Sequence, residues 1–246
     1  MLLCDIIFIE IKMKGETNMS KVYVTGDTHG TWDIKKLHRT GRTIMNKLRP
    51  EDYLIICGDF GGVWDGSKED EELLDWYARQ PYTTLFVDGN HENHTMLNEY
   101  SVEEWCGGKI HRIRPNLIHL MRGQYYTIAG KTFLTMGGAV STDKMCRTEN
   151  VDWWAAEVAS EEEIATLRQT MEDHNYTVDY IITHCAPTTA LPCLSPYFDE
   201  DEMTKLLDEI YYSMDFKYWY FGHYHCHMAM KRKLFCLYNL VMEVEE

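Results

Sequence analysis

Basic residues are scarce in this sequence, and long apolar runs are missing. The chain of 246 residues has 24 lysines and arginines against 39 aspartates and glutamates, a formal net charge of −15. Because nucleic-acid backbones are bound mainly through lysine and arginine, this balance disfavours a broad nucleic-acid surface. No apolar run approaches the roughly 20 residues that span a bilayer. We therefore expect neither a membrane protein nor a protein that binds extended nucleic acid.

Cysteine pairs of the C-x-x-C type are also absent, although the chain has 8 cysteines. Several of these cysteines lie in apolar segments that are predicted as strands. Their positions do not form a disulfide framework, and reduced thiols of this kind are typical of cytoplasmic proteins. We therefore expect a cytoplasmic protein without structural disulfides.

The first 18 residues differ from the rest of the chain. Their apolar run is interrupted by Asp5 and Glu10 and has no basic start, so it is a poor signal peptide. Met19 runs straight into a predicted strand, and codons for residues 14–16 would resemble a bacterial ribosome-binding sequence. We predict a non-native or flexible extension at residues 1–18 and a single domain at residues 19–246. A genuine additional edge strand is the alternative.

Strand and helix patterns alternate in the first part of the chain. Apolar runs predict strands at Lys21–Thr25, Tyr53–Cys57 and Thr83–Val87. Helical spacing of apolar residues predicts helices at Asp33–Leu48 and Glu69–Arg79. This alternation indicates βαβ units and a largely parallel sheet, as in α/β proteins.

The rest of the chain predicts a second sheet in the same domain. Four short apolar runs separated by turns are typical of an antiparallel meander; they are Lys109–Ile113, Leu117–Leu120, Gln124–Ile128 and Thr132–Met136. A capping box at Ser160 and Glu163 starts a helix. Further patterns predict a strand at Val178–Thr183, a helix at Glu202–Met214 and a strand at Tyr218–Phe221. A strand-rich tail is expected to close the second sheet.

Residue types that bind metals follow the predicted strands, and most lie beside a glycine. They are Asp27, His29, Asp59, Asn90, His91, His184, His223 and His225. The carboxyl ends of parallel strands meet at one edge of a sheet, where binding sites form. In an extended strand, His223 and His225 would point to the same face, and Tyr224 would point away into packing. Five such motifs in order indicate a metal centre.

The motifs G-D-T-H-G, G-D-F, G-N-H-E, T-H-C and G-H-Y-H span residues 26–225, and together they resemble the calcineurin-like metallophosphoesterase family. The resemblance implies a four-layer αββα sandwich of two mixed β-sheets flanked by helices, with two metal ions at the strand ends. The residues that match the ligands of the first ion are Asp27, His29, Asp59 and His225. Those that match the ligands of the second ion are Asp59, Asn90, His184 and His223, with Asp59 bridging both ions.

The resemblance also implies hydrolysis of a phosphomonoester or a phosphodiester. A hydroxide that bridges two divalent ions would attack phosphorus, and His91 would donate a proton to the leaving oxygen. Mixed imidazole, carboxylate and amide ligands suit transition metals, so we expect two manganese ions, with Fe, Zn, Co or Ni as alternatives. The expected substrate is a phosphorylated small molecule or a nucleotide. The sequence predicts no oligomeric state.

One departure from the family pattern concerns the cation that holds the substrate. Protein serine/threonine phosphatases carry an arginine in G-D-x-x-D-R-G, which residues 58–65 lack, so the resemblance points to a bacterial or phage type. Lys144 and Arg147, just before Trp153 and Trp154, are the alternative phosphate-binding cations. Arg147 would otherwise pair with a surface carboxylate, and the tryptophans would belong to the core.

Three other functions stay open: a nuclease, a phosphoprotein phosphatase, and a scaffold of this fold without catalysis. A nuclease would have a larger basic surface, and a scaffold would lack ligands or His91, whereas all of these residues are present. The stretch from His91 to His94 has the wrong spacing for a zinc protease motif. Asp33, Asp65 or Asp88 is expected to orient a metal-binding histidine.

Overall fold

Two mixed β-sheets with 7 and 6 strands organise the part of the chain that the structure describes, residues 19–230 and 233–244. The structure is a computed structural model. The predicted extension at residues 1–18 lies outside the described residues. The strands are β1 (Val22–Thr25), β2 (Tyr53–Cys57), β3 (Thr83–Val87), β4 (Val102–Trp105), β5 (Gly108–Arg114), β6 (Leu117–Leu120), β7 (Gln124–Ile128), β8 (Lys131–Met136), β9 (Thr177–Thr183), β10 (Asp215–Phe221), β11 (Met228–Met230), β12 (Leu234–Cys236) and β13 (Met242–Glu243).

Helices cover the outer faces of both sheets. The α-helices are α1 (Lys68–Ala78), α2 (His94–Leu97), α3 (Glu161–Asp173), α4 (Leu191–Leu194) and α5 (Glu202–Ser213). The 3₁₀ helices are Ile34–Leu37, Ile44–Lys47, Lys144–Cys146, Ala155–Glu157 and Thr188–Ala190. No helix among the described residues is long and apolar enough to cross a membrane.

The first sheet has the order β13-β1-β2-β3-β6-β5-β4, and the second has the order β11-β12-β10-β9-β8-β7. Strands β1, β2, β3 and β6 are parallel in the first sheet, as are β8, β9, β10 and β12 in the second. The central strands are apolar on both faces, as in Leu54, Ile55 and Ile56, because each sheet is covered on both sides.

The apolar core has three parts that match a layered sandwich. Between the sheets, Val24 and Leu85 of the first sheet belong to the same cluster as Tyr180 and Ile182 of the second. A second cluster joins the first sheet to α1, and a third joins the second sheet to α3 and α5. The predicted fold class, two mixed sheets flanked by helices, is confirmed.

The single helix predicted at Asp33–Leu48 is wrong. Two 3₁₀ helices, Ile34–Leu37 and Ile44–Lys47, stand in its place, and Gly41 between them has a φ angle of +71°. Ile34, Leu37 and Met45 nevertheless reach the core. Two separate turns bury the same apolar residues that one helix would bury, so their spacing did not distinguish the two structures.

The predicted meander is also wrong, because its four strands divide between the sheets. Strands β5 and β6 belong to the first sheet, whereas β7 and β8 belong to the second. The turn at residues 121–123 carries the chain across, and Arg122 in this turn is buried. Strand β4 was not predicted. In the tail, β11 and β12 extend the second sheet as expected, but β13 pairs with β1 of the first. Apolar alternation predicts a strand but not its partner.

The capping box at Ser160 is confirmed, since its side chain accepts from the backbone of Glu163 and the Glu163 side chain accepts from the backbone of Ser160. Helix α5 and strands β9 and β10 lie where the sequence predicted them.

Candidate metal centre

The carboxyl ends of the parallel strands from both sheets meet at one site. Asp27 follows β1, Asp59 follows β2 and Asn90 follows β3 in the first sheet, while His184 and His223 follow β9 and β10 in the second. The glycines in these motifs permit close approach. A β-carbon at Gly58 would clash with the imidazole of His184, and one at Gly89 would clash with the carboxylate of Asp59.

Four of the predicted ligands have a left-handed backbone, which is strained for residues other than glycine. The φ angles are 43° at His29, 48° at Asp59, 67° at His223 and 48° at His225. Such conformations cost on the order of 1–3 kcal/mol each and cluster at functional sites, where the surrounding structure holds them. The strain at these residues therefore supports a binding role.

The expectation that His223 and His225 alternate along an extended strand is wrong. Strand β10 ends at Phe221, and both histidines lie in the left-handed loop that follows. The loop turns because the backbone NH of His223 donates to the Asp27 carboxylate at 2.9 Å. The side chain of Tyr224 packs against Phe221, as expected, and its hydroxyl accepts from the backbone NH of Ala186.

Asp59, His184 and His223 form one compact group, with a ligand atom of each within 4.8 Å of the others. The Nδ1 atom of His184 donates to the Cys57 carbonyl at 2.9 Å, so its Nε2 atom is directed at the other side chains. That Nε2 atom lies 3.1 Å from Asp59 Oδ1 and 3.2 Å from Asn90 Oδ1. Lone pairs of three ligand atoms therefore converge, and such a point requires a proton or a cation.

Electrostatics at this point also favour positive charge. Burial opposes protonation of His184, but the carboxylates of Asp59 and Asp27 outweigh it and raise its pKa to about 9. Burial alone would raise the pKa of Asp59, yet His184 and His29 hold it well below its usual range. Metal ligands must give up their protons, so a cation here would replace the proton on His184. This donor set fits a divalent transition metal.

His29, Asp59 and His91 form a second compact group within 4.8 Å. The Nε2 atom of His29 lies 3.1 Å from Asp59 Oδ2, and its Nδ1 atom donates to Asp33 at 2.8 Å. Asp33 therefore fixes the tautomer that leaves Nε2 available to a metal. Of the three aspartates considered, Asp33 is the one in contact with a predicted ligand histidine, since Asp65 accepts from Ser67 and Asp88 from Arg122.

The remaining predicted ligands of the first ion surround this second group. Asp27 is fully buried, and its Oδ2 atom makes no hydrogen bond with any described residue. An orphaned carboxylate oxygen of this kind fits a cation ligand. The exposed ring of His225 has its centroid 5.0 Å from that of His29. Asp59 is common to both compact groups.

His91 belongs to this second compact group, although the sequence predicted it as a proton donor and not as a metal ligand. Its ring centroid is 5.2 Å from that of His29, and its backbone NH donates to Asp59 Oδ1 at 2.8 Å. Burial lowers the pKa of His91, partly opposed by the Asp59 carboxylate. A lower pKa makes the protonated imidazole a stronger acid.

Arg147 and Lys144 occupy different positions relative to His91. The Nη2 atom of Arg147 lies 3.5 Å from His91 Nε2, and it also pairs with the Asp143 carboxylate at 2.8 Å. Arg147 therefore combines both alternatives, an approach to the site and a surface ion pair. Lys144 lies over the ring of Trp153 at 5.7 Å, whereas Trp154 is buried.

Several buried or half-buried polar residues support the site without having been predicted. Lys36 donates to the carbonyls of Gly26, Asp27 and Tyr238, which ties the β1 loop to the tail, and burial lowers its pKa to about 8. Glu92 accepts from the backbone NH groups of the two residues after Asp59. Ser141, in the segment after β8, contacts Asn90, and Glu157 contacts Ser141. Of these residues, only Glu92 could have been recognised from the sequence, because it is the last residue of the G-N-H-E motif.

An open cleft of about 560 Å³ adjoins His29 and His91. Its walls include Trp32, which is 83% exposed, and Trp64. The carboxylates of Asp65 and Glu69 also line it. The cleft therefore offers aromatic surface and negative charge beside the histidines.

Comparison with known proteins places this geometry in a family. The family model described as calcineurin-like phosphoesterase matches residues 20–227 of the chain. No curated protein matches the sequence. The matched region includes every residue of both compact groups and the cleft.

Proposed function

The chain belongs to the calcineurin-like phosphoesterase family, and from this premise we propose that it is a dinuclear, metal-dependent hydrolase of small phosphoesters. The observation that carries the proposal is that Asp59 Oδ1 and Asn90 Oδ1 lie 3.1 and 3.2 Å from His184 Nε2. The unpaired, buried Oδ2 atom of Asp27 supports a second cation beside the first.

The metal ligands in this proposal are the sequence-predicted ones. Those for the first ion are Asp27, His29, Asp59 and His225, and those for the second are Asp59, Asn90, His184 and His223. When bound, two such ions polarise the phosphoryl oxygens and lower the pKa of a water molecule that attacks phosphorus. Manganese is the proposed metal because the ligands mix oxygen and imidazole nitrogen.

The chain's own residues position the substrate and handle a proton. His91 donates a proton to the leaving oxygen, since its ring lies beside the ligand histidine His29 and borders the cleft. Arg147, 3.5 Å from His91, pairs with a phosphoryl oxygen and balances its charge. Lys144 lies three residues before Arg147 in the same loop and contributes positive charge rather than a direct contact.

The cleft favours a small substrate over nucleic acid. Asp65 and Glu69 line it, and the chain carries a net charge of −15, so a polyanion would be repelled. Trp32 and Trp64 would pack against an organic leaving group, such as a nucleoside or another ring. We also propose that residues 19–246 form one domain that acts in the cytoplasm, since the cysteines of the described residues are free thiols.

Saturation with manganese is expected to load two ions per chain. The reason is that the two compact groups share Asp59 but otherwise differ in their histidines. Elemental analysis after removal of excess metal gives the stoichiometry, and anomalous scattering in crystals locates each ion. One ion, or none, would contradict the dinuclear centre.

Hydrolysis is tested by a substrate screen of the manganese-loaded protein. The panel contains bis-p-nitrophenyl phosphate, p-nitrophenyl phosphate, cyclic nucleotides and nucleotides. We expect turnover of at least one phosphoester that is lost when the metal is chelated. Binding of two ions without hydrolysis of any compound in the panel would favour the non-catalytic scaffold. Cleavage of DNA or RNA in preference to the compounds in the panel would favour the nuclease.

A further inference from the structure

The side-chain amide of Asn90 has two ends that are not interchangeable at a metal centre. Its Oδ1 atom faces His184 Nε2 at 3.2 Å, where an oxygen can bind a cation. Rotation of the amide by half a turn would place the NH₂ group there instead, and an NH₂ group only donates. Something in the protein must therefore select one orientation.

Ser141 and Glu157 provide that selection through a directional chain of hydrogen bonds. The Nδ2 atom of Asn90 lies 3.2 Å from Ser141 Oγ, and Ser141 Oγ lies 2.7 Å from Glu157 Oε2. The other carboxylate oxygen of Glu157 accepts from the backbone NH of Ser141 at 2.7 Å. An ionised carboxylate only accepts, so the serine hydroxyl must donate to it. The hydroxyl can then only accept from Asn90, which directs the Nδ2 end toward Ser141.

Burial makes this direction strict. Ser141 is 2% exposed and Glu157 is 1% exposed, so water does not compete for these hydrogen bonds. A reversed amide would place Asn90 Oδ1 against the lone pairs of Ser141 Oγ. A buried acceptor that faces another acceptor loses its hydrogen bond and is repelled.

Arg122 connects the two segments that carry this series of hydrogen bonds. Its Nη2 atom donates to the backbone carbonyls of Ala156 and Glu157 at 2.9 and 3.2 Å. Its Nε atom donates at 2.9 Å to Asp88, two residues before Asn90. These hydrogen bonds link Asn90 through Ser141, Glu157 and Arg122 to Asp88, and the backbone of residues 88–90 closes the ring.

We propose that Ser141 and Glu157 are positioning residues, which hold the Asn90 amide with its oxygen toward the second metal ion. The inference rests on the proposed metal centre and adds a mechanism by which the segment between β8 and α3 orients one of its ligands. Neither residue touches the substrate. Their effect is on the affinity of the second ion.

Glu157→Gln is expected to weaken binding of the second manganese ion by about 10–100-fold, the usual effect of residues that orient metal ligands. The glutamine amide would accept from the Ser141 backbone NH and donate to Ser141 Oγ. The serine hydrogen would then be left for Asn90, and the amide of Asn90 would turn its oxygen toward Ser141. Titration calorimetry with manganese measures the affinity of each ion, without any need for turnover.

A double-mutant cycle separates the hydrogen-bond effect from the loss of negative charge. In the Ser141→Ala background the chain of hydrogen bonds is already broken, so Glu157→Gln can act only through charge. We therefore expect Glu157→Gln to reduce the affinity for the second manganese ion more in the wild type than in the Ser141→Ala background. Ser141→Thr keeps the hydroxyl and is expected to keep the affinity that Ser141→Ala loses.

Ser160 and Glu163 form a matched control pair on the same segment. Their side chains are 2.9 Å apart, and Glu163 also contacts Arg122 at 3.3 Å, but neither contacts Asn90. Ser160→Ala and Glu163→Gln are therefore expected to leave both manganese affinities unchanged, although helix α3 loses its capping box.

The proposal is overturned if Glu157→Gln weakens binding of the second ion equally in the wild type and in the Ser141→Ala background. It is also overturned if Glu157→Gln lowers only the melting temperature of the metal-free protein. If Glu157→Gln does not fold, equal affinities of Ser141→Ala and Ser141→Thr would overturn it instead. Failure of the proposed function looks different, because a protein without phosphoesterase activity would still show the coupled loss of metal affinity.

Discussion

Replacing His91 with alanine is expected to slow hydrolysis by roughly 10²–10⁴-fold, the usual contribution of a positioned proton donor. Both metal ions should stay bound, because the contact of His91 with Asp59 runs through its backbone NH, which alanine retains. Metal content, measured together with kcat, separates the two roles that the position of His91 permits. Loss of an ion from His91→Ala would mean that the imidazole is itself a ligand, as its proximity to His29 and Asp59 allows.

The size of the loss should depend on the leaving group. An alkoxide leaves poorly without a proton, whereas p-nitrophenolate leaves with little help, so the variant should lose more activity on alkyl phosphoesters. His227→Ala is the control, since His227 lies two residues from His225 but is exposed, and its ring faces the backbone of Tyr238 and Asn239 in the tail. An equal loss on both leaving groups would remove the general-acid role and leave His91 as a phosphate-binding residue.

Asp59→Asn is expected to lose both metal ions and at least about 10³-fold in activity, because metal stabilisation of the transition state is worth several kcal/mol. Asparagine has the same shape as aspartate, but it replaces one of the two carboxylate oxygens with an NH₂ group, which cannot bind a cation. The Oδ2 atom faces His29 at 3.1 Å, and the Oδ1 atom faces His184 at 3.1 Å. Elemental analysis and activity assays on the purified variant measure both effects.

The metal-free form of this variant offers an independent readout. The Asp59 carboxylate is the main contribution that raises the pKa of His184 against burial, so its removal should lower that pKa from about 9. NMR titration of the His184 ring measures the shift. Asp65→Asn is the control, since Asp65 lines the cleft but contacts Ser67 rather than the ligands. An Asp59→Asn protein that keeps two ions would show that Asp59 does not bridge them.

Local patterns predicted the central strands well, since a buried strand needs a short apolar run and most of these runs are followed closely by a glycine. They failed where different structures bury the same residues. Ile34 and Met45 reach the core from two 3₁₀ helices as readily as from the single helix predicted over residues 33–48. Similarly, β6 and β7 are separated by three residues but belong to different sheets.

The sequence by itself determined which residue types stand at the strand ends and, through the parallel arrangement of those strands, that they would meet. The tertiary structure alone decided how those side chains are oriented. Asp33 orients His29 from four residues away, but Ser141 reaches Asn90 across 51 residues, and Glu157 lies a further 16 residues along the chain. A hydrogen bond between distant segments leaves no periodic pattern in either one, because its direction depends on how the two sheets pack.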